Sequence, residues 1–133
     1  MKLVYSDKKT GLTAQAEIPK DRESILMGKI IGDIIDGSIA GLDAYKLQIT
    51  GLSDKTGAPS RKAIDGSRKS FSLLGGGVGI RNAKKGYRAR RLVRGNAISA
   101  DTEQVNAVIT EYGTKPAADI FPKKEKAEKT EKK

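Results

Sequence analysis

With no Cys and no His among 133 residues, this chain has to do its chemistry with guanidinium, ammonium, hydroxyl and carboxylate groups. That rules out a thiol nucleophile, a Ser–His pair and a zinc site of the usual ligand types. The densest functional cluster is residues 83–96, Ala-Lys-Lys-Gly-Tyr-Arg-Ala-Arg-Arg-Leu-Val-Arg-Gly-Asn. Guanidinium forks pair bidentately with phosphate oxygens and stack on exposed bases. If Tyr87–Arg94 is a strand, Arg88, Arg90 and Arg94 share one face with Leu92, and Tyr87, Ala89, Arg91 and Val93 share the other. Same-face neighbours then lie about 6.6 Å apart, near the repeat of phosphates along a nucleic-acid strand. Arg81, Lys84 and Lys85 extend the positive ridge.

A second candidate is the run Gly75-Gly76-Gly77-Val78-Gly79. It fits neither nucleotide signature. Walker A would need its second Gly where Ile80, Arg81 or Asn82 stands, and G-x-G-x-x-G fails at Ile80. Such glycines can still expose N–H groups and let a backbone approach phosphates, and a mobile hairpin loop would explain them equally well. The carboxylates offer less. Asp33 with Asp36, Asp21 with Glu23 and Asp101 with Glu103 are spaced as pairs, but none has a third ligand nearby. They read as caps and turn residues, so no metal or cofactor is expected.

The distribution of charge decides between a binding face and an ordinary solvated one. The formal net charge is +10. Residues 1–60 balance eight basic against eight acidic side chains, whereas residues 61–94 hold eleven basic and only Asp65 as an acid. Solvated faces mix signs, so this segment calls for a polyanion. No zinc finger, helix-turn-helix or RNP aromatic signature is present, which leaves backbone and shape recognition rather than base-edge readout. No apolar run approaches a membrane span, and the N-terminus turns polar by Ser6, unlike a secretory signal. The expectation is a soluble, cytoplasmic protein that is monomeric when free and makes no use of a membrane.

The elements that must carry these residues read mostly as strands. Lys2–Ser6 followed by alternation at Leu12, Ala14, Ala16 and Ile18 predicts a hairpin. Asp21–Met27 suggests a short helical turn with Asp21 as its cap. Ile30, Ile31, Ile34 and Ile35 around Gly32-Asp33 suggest a bulge or sharp bend. Tyr45, Leu47 and Ile49 alternate as a half-buried strand, and so do Phe71 with Leu73, Tyr87–Arg94 and Val105–Ile109. Two long loops, Gly51–Ser67 and Gly75–Gly86, lie in or beside the basic window. Pro116–Phe121 suggests one more helical turn. Many short strands parted by turn signals predict a mainly β fold, a small twisted sheet closing into a β-barrel, with long basic loops. Residues 1–121 form the single domain. Residues 122–133 form a Lys/Glu-rich tail too polar to fold.

The segments KLVYSDKKTG (2–11), GKIIGDIIDGSIAGLDAYKLQITG (28–51), SDKTGAP (53–59) and KKGYRARRLVRGNAIS (84–99) together resemble the S6e family of small-subunit ribosomal proteins, in its short archaeal form. The likeness runs in order over nearly all of residues 1–121. It implies a non-enzymatic β-barrel-like protein that embeds basic loops in small-subunit rRNA beside other ribosomal proteins. The family's signature loop corresponds to Ile49–Ser60 and its basic segment to Lys84–Asn96. Leu52 stands where the family loop usually has a second Gly, and Ala58 and Ser60 replace a Phe and a Met. The long phosphorylated helix of eukaryotic members has no counterpart here. The reading assigns phosphate contacts to Arg81, Lys84, Lys85, Arg88, Arg90, Arg91 and Arg94, with Arg61, Lys62, Arg68 and Lys69 contributing from the adjacent loop and strand. Gly75, Gly76, Gly77 and Gly79 allow close backbone approach. The alternative is a free-standing, non-specific nucleic-acid-binding protein.

Overall fold

The computed structural model describes residues 1–81, 84–113 and 121. Among the described residues, seven strands form two sheets. Strands β1 (Lys2–Ser6), β2 (Thr13–Glu17), β3 (Ile34–Asp36), β4 (Lys46–Asp54) and β7 (Thr102–Glu111) make one sheet in the order β2-β1-β7-β4-β3. Strands β5 (Lys69–Leu74) and β6 (Ala89–Arg94) make a separate antiparallel pair. The one α-helix among the described residues, α1 (Lys20–Leu26), and a 3-10 turn at Gly37–Ala40 complete the elements. The β1 strand runs parallel to β7, which ties the two ends of the domain together.

The expected barrel does not close. Strands β2 and β3 are the two edges of the five-stranded sheet and do not pair with each other. After β2 the chain turns at Pro19 into α1 instead of crossing back as a strand. Leu26 from the helix and Ile39 and Leu42 from around the 3-10 turn fill the core together with Leu3, Leu47, Ile49 and Val105. A curled sheet can bury its concave face under a helix as well as by closing on itself. The helix also starts differently from the expected turn. Pro19 is the N-cap, no side chain caps it, and Asp21 lies in the first turn. The anticipated break at Gly32-Asp33 is a tight bend, closed by Asp33 N–H donating to the Ile30 carbonyl at 3.1 Å. Pro116–Ile120 of the suggested last turn and the 122–133 tail lie outside the described residues.

One irregularity governs the rest. In β4, Leu47 and Ile49 point into the core, yet so do Leu52 and Asp54. The register against β7 shifts between Ile49 and Gly51, leaving Thr50 as an extra residue. Such a bulge exchanges the two faces of a strand. It therefore turns Asp54 inward, where the second sheet begins.

At the opposite end of β7, Tyr112 donates its hydroxyl to Asp7 Oδ1 at 2.5 Å. Asp7 also accepts from the Lys9 amide and the Thr10 hydroxyl, forming the turn between β1 and β2. The Tyr112 hydrogen bond, the Lys9 amide and Thr10 hold the Asp7 pKa down at about 2. The same bond, with burial, pushes Tyr112 up to about 12. A depressed carboxyl pKa contributes stability above its unfolded value, near 4, and a raised phenol pKa contributes below its unfolded value, near 10. Tyr112→Phe is therefore expected to lower stability most between about pH 4 and 10, with the loss shrinking as pH falls toward 2 or rises toward 12. Urea unfolding across that pH range checks it. A deficit that keeps its full size at both extremes would contradict the assignment.

Candidate nucleic-acid interface

The second sheet is anchored to the first by three consecutive residues, Arg94-Gly95-Asn96. Arg94 ends β6 and is only 5% exposed. Its Nη1 meets Asp54 Oδ1 at 2.9 Å as an ion pair, and its Nη2 reaches Asp101 Oδ2 at 3.1 Å and Ser99 Oγ at 2.8 Å. Nε donates to the Ser67 carbonyl at 2.9 Å. The same Asp54 accepts from the Lys55 amide, the Thr56 hydroxyl and the Lys69 ammonium. Burial works to raise its pKa, but Lys69, Thr56, the Lys55 amide and Arg94 outweigh it and hold the carboxyl below its ordinary value.

Gly95 and Asn96 hold the intervening loop. Gly95 N–H donates to the Arg68 carbonyl at 3.0 Å, and Asn96 N–H donates to the Ile64 carbonyl at 2.8 Å. The Asn96 side chain donates to Lys62 O and Asp65 Oδ1 and accepts from Gly66 N–H. The loop backbone crosses so closely over Gly95 that a Cβ there would collide with the carbonyl of Gly66. Gly95→Ala is expected to cost about 1–3 kcal/mol, the usual penalty for overpacking against fixed backbone. Chemical denaturation measures it, and an unchanged midpoint would contradict this packing.

Beyond this anchor, β5 and β6 form an arm. The register pairs Lys69 with Arg94, Phe71 with Leu92 and Leu73 with Arg90, all on one face. Ser70, Ser72 and Leu74 share the other with Val93, Arg91 and Ala89. Leu74 and Val93 are buried on this second face. Arg90 and Arg91, which point to opposite faces, are both exposed. Lys62, Arg68, Arg81, Lys84, Lys85 and Arg88 are exposed as well. Among the described residues none of these eight cations has an ion pair, whereas Lys69 and Arg94 do. No group of three or more potential metal ligands occurs among the described residues.

The family model described as Ribosomal protein S6e matches residues 1–122. The chain belongs to the ribosomal protein S6e family. Its relatives include the small ribosomal subunit protein eS6 of Methanocella arvoryzae, 47% identical over 96% of this chain and 89% of that one. The eS6 proteins of Methanothermobacter thermautotrophicus (45% identical, covering 90% of this chain and 94% of that one) and Archaeoglobus fulgidus (42%, covering 93% and 97%) are similar over comparable spans. These are structural proteins of the ribosome, not enzymes.

Within this S6e chain, the structure separates the expected contact residues into two groups. Arg94 stands apart from the exposed cations. It shares the face of Arg90 and Leu92, as the alternation predicts, but it is buried, ion-paired with Asp54 and Asp101, and hydrogen-bonded to Ser99 and Ser67. Lys69 keeps partial exposure while its ammonium pairs with Asp54. Arg61 is half-buried and donates through Nη1 to the carbonyls of Gly76 and Val78 at 3.4 and 3.2 Å. It fastens the glycine loop to the body. Gly79 is the tight point of that loop: its φ is +93°, and Leu74, Val93 and Pro59 lie within 3.6 Å of where a Cβ would be. Gly75, Gly76 and Gly77 sit in the same loop, with Gly75 and Gly77 exposed. The loop thus folds over the Leu74/Val93 face of the arm and leaves the Phe71/Leu73/Leu92 face open.

The family-loop departures are accommodated inside the molecule. Leu52 is in the core, and Ala58 and Ser60 are buried against the Asp54 turn, so none presents a side chain to a ligand. The residues that alternation and charge could not identify are Asp54, Asp101 and Asn96. Two acids from separate segments converge on one arginine, a meeting that neither alternation nor charge counting encodes.

Proposed function

We propose that this protein is a structural constituent of the small ribosomal subunit that binds rRNA through its cationic arm. Lys62, Arg68, Arg81, Lys84, Lys85, Arg88, Arg90 and Arg91 contact phosphates, and the loop containing Gly75, Gly76, Gly77 and Gly79 brings backbone close to the RNA. The observation that carries the reading is those eight exposed cations without an acidic partner, all within residues 61–94 of an otherwise charge-balanced chain. The relatives' shared name as small-subunit proteins supports rRNA as the polyanion. Phosphate contacts position a protein on RNA without reading sequence, which suits a scaffold role. Residues 1–121 act as one folded unit with 122–133 as an appended polar tail. The protein is monomeric when free, works in the cytoplasm and neighbours other ribosomal proteins.

Sedimentation tests this directly. The native protein mixed with small subunits at moderate salt is expected to travel with them and to be released as salt is raised. Protein that stays at the top of the gradient while binding duplex DNA and rRNA equally would favour a free-standing nucleic-acid binder.

A further inference from the structure

The arm carries an apolar strip that the phosphate contacts do not use. Phe71 is 64% exposed, Leu73 62% and Leu92 36%. All three lie on the open face, with Phe71 directly opposite Leu92 and Leu73 opposite Arg90. The Arg90 guanidinium carbon sits 6.0 Å from the centre of the Phe71 ring. On the reverse face the glycine loop packs over Leu74 and Val93, whereas this apolar side is left bare. Exposed aromatic area of this kind needs an occupant.

We propose that this strip receives an unpaired base of the bound RNA, stacked on Phe71 between Leu73 and Leu92, with Arg90 reaching the adjoining phosphate. The inference rests on the rRNA-binding reading and adds what part of the RNA is recognised. Charge complementarity selects the occupant: Arg90 sits within the strip, opposite Leu73 and facing the Phe71 ring, and no acid stands on either strand. Its size, one ring and two leucines, matches a base and falls short of the roughly 800 Å² per partner of a stable protein interface. Paired A-form RNA hides its base faces, so stacking demands a bulge, a loop or an end. Aromatic and guanidinium planes side by side are the usual means of holding such a base.

The test uses the full chain and two synthetic RNA hairpins, one fully paired and one with a single 2-aminopurine bulge in the same stem. The wild-type protein is expected to bind the bulged hairpin about tenfold more tightly and to change the fluorescence of the bulged base. Phe71→Ala should abolish the preference and the fluorescence change while leaving affinity for the paired hairpin intact. Phe71→Tyr should retain both. Salt-sensitive binding of both hairpins with no preference, unaffected by Phe71→Ala, would overturn the stacking inference and leave the rRNA reading standing. The same holds if Phe71→Ala binds RNA normally but no longer joins small subunits, because the strip would then be a protein contact. Absence of salt-sensitive binding to either hairpin would instead defeat the underlying rRNA reading, and this inference with it.

Discussion

Replacing Arg88, Arg90 and Arg91 together by Glu is expected to lower affinity for small-subunit rRNA fragments by at least about tenfold at moderate salt. The dependence of log K on log salt should become shallower by about 3, roughly one for each lost phosphate contact. The reasoning is electrostatic. Each guanidinium that neutralises a phosphate releases condensed counterions, so the number of contacts is written into the salt slope. All three side chains are exposed and none has an ion pair among the described residues, so their replacement leaves no buried group unpaired. Stability should stay within about 0.5 kcal/mol per site, the usual range for surface changes. A variant that keeps the wild-type slope would remove these residues from the interface.

Arg94→Ala should behave in the opposite way. It is expected to cost about 3–5 kcal/mol of stability, because breaking a buried pair leaves the partner charge uncompensated. Asp54 would remain buried with only Lys69 to balance it, and the Ser67 carbonyl would lose the Nε donor. The pH dependence carries a matching signature. Because the folded Asp54 pKa is depressed, its contribution is complete above the unfolded carboxylate value, near 4, and is lost as pH falls through the lower folded value. The Arg94→Ala protein should therefore lose less stability on acidification than the wild type. Any weakening of RNA binding in this variant should leave the salt slope per contact unchanged, since the Arg94 guanidinium is already paired inside the protein. Equilibrium urea unfolding at pH 7 measures the first effect and unfolding at pH values below 4 the second; a cost under 1 kcal/mol at pH 7 would contradict the anchor.

The contrast between Arg90 and Arg94 shows what the sequence could reveal. Period-two alternation placed both on one face of a strand, and the register agrees. What alternation lacks is depth: the outer end of the strand is in solvent and the inner end meets acids from β4 and from the turn before β7. Of these, Asp54 faces inward because the bulge at Thr50 reverses the inward face of β4. A one-residue register change leaves almost no mark in hydropathy, since Leu52 continues an apolar pattern that simply shifts phase. The barrel expectation failed for a related reason. Strand periodicity indicates which faces are buried but not whether edges meet, and α1 with its buried Leu26 supplied the cover a closing strand would have given. The charge segregation survived best, because composition alone located it. Phe71 was legible only as one residue of an alternating strand; its exposure follows from the glycine loop folding over the opposite face.

The most direct test of the arm as the RNA-binding element is ultraviolet cross-linking of the protein within assembled small subunits, followed by mass spectrometry of the linked peptides. The account predicts cross-links on peptides containing Arg68–Leu73 and Arg81–Leu92, and none on β2 or α1. Cross-links concentrated on Thr13–Leu26 with the arm peptides unmodified would contradict it.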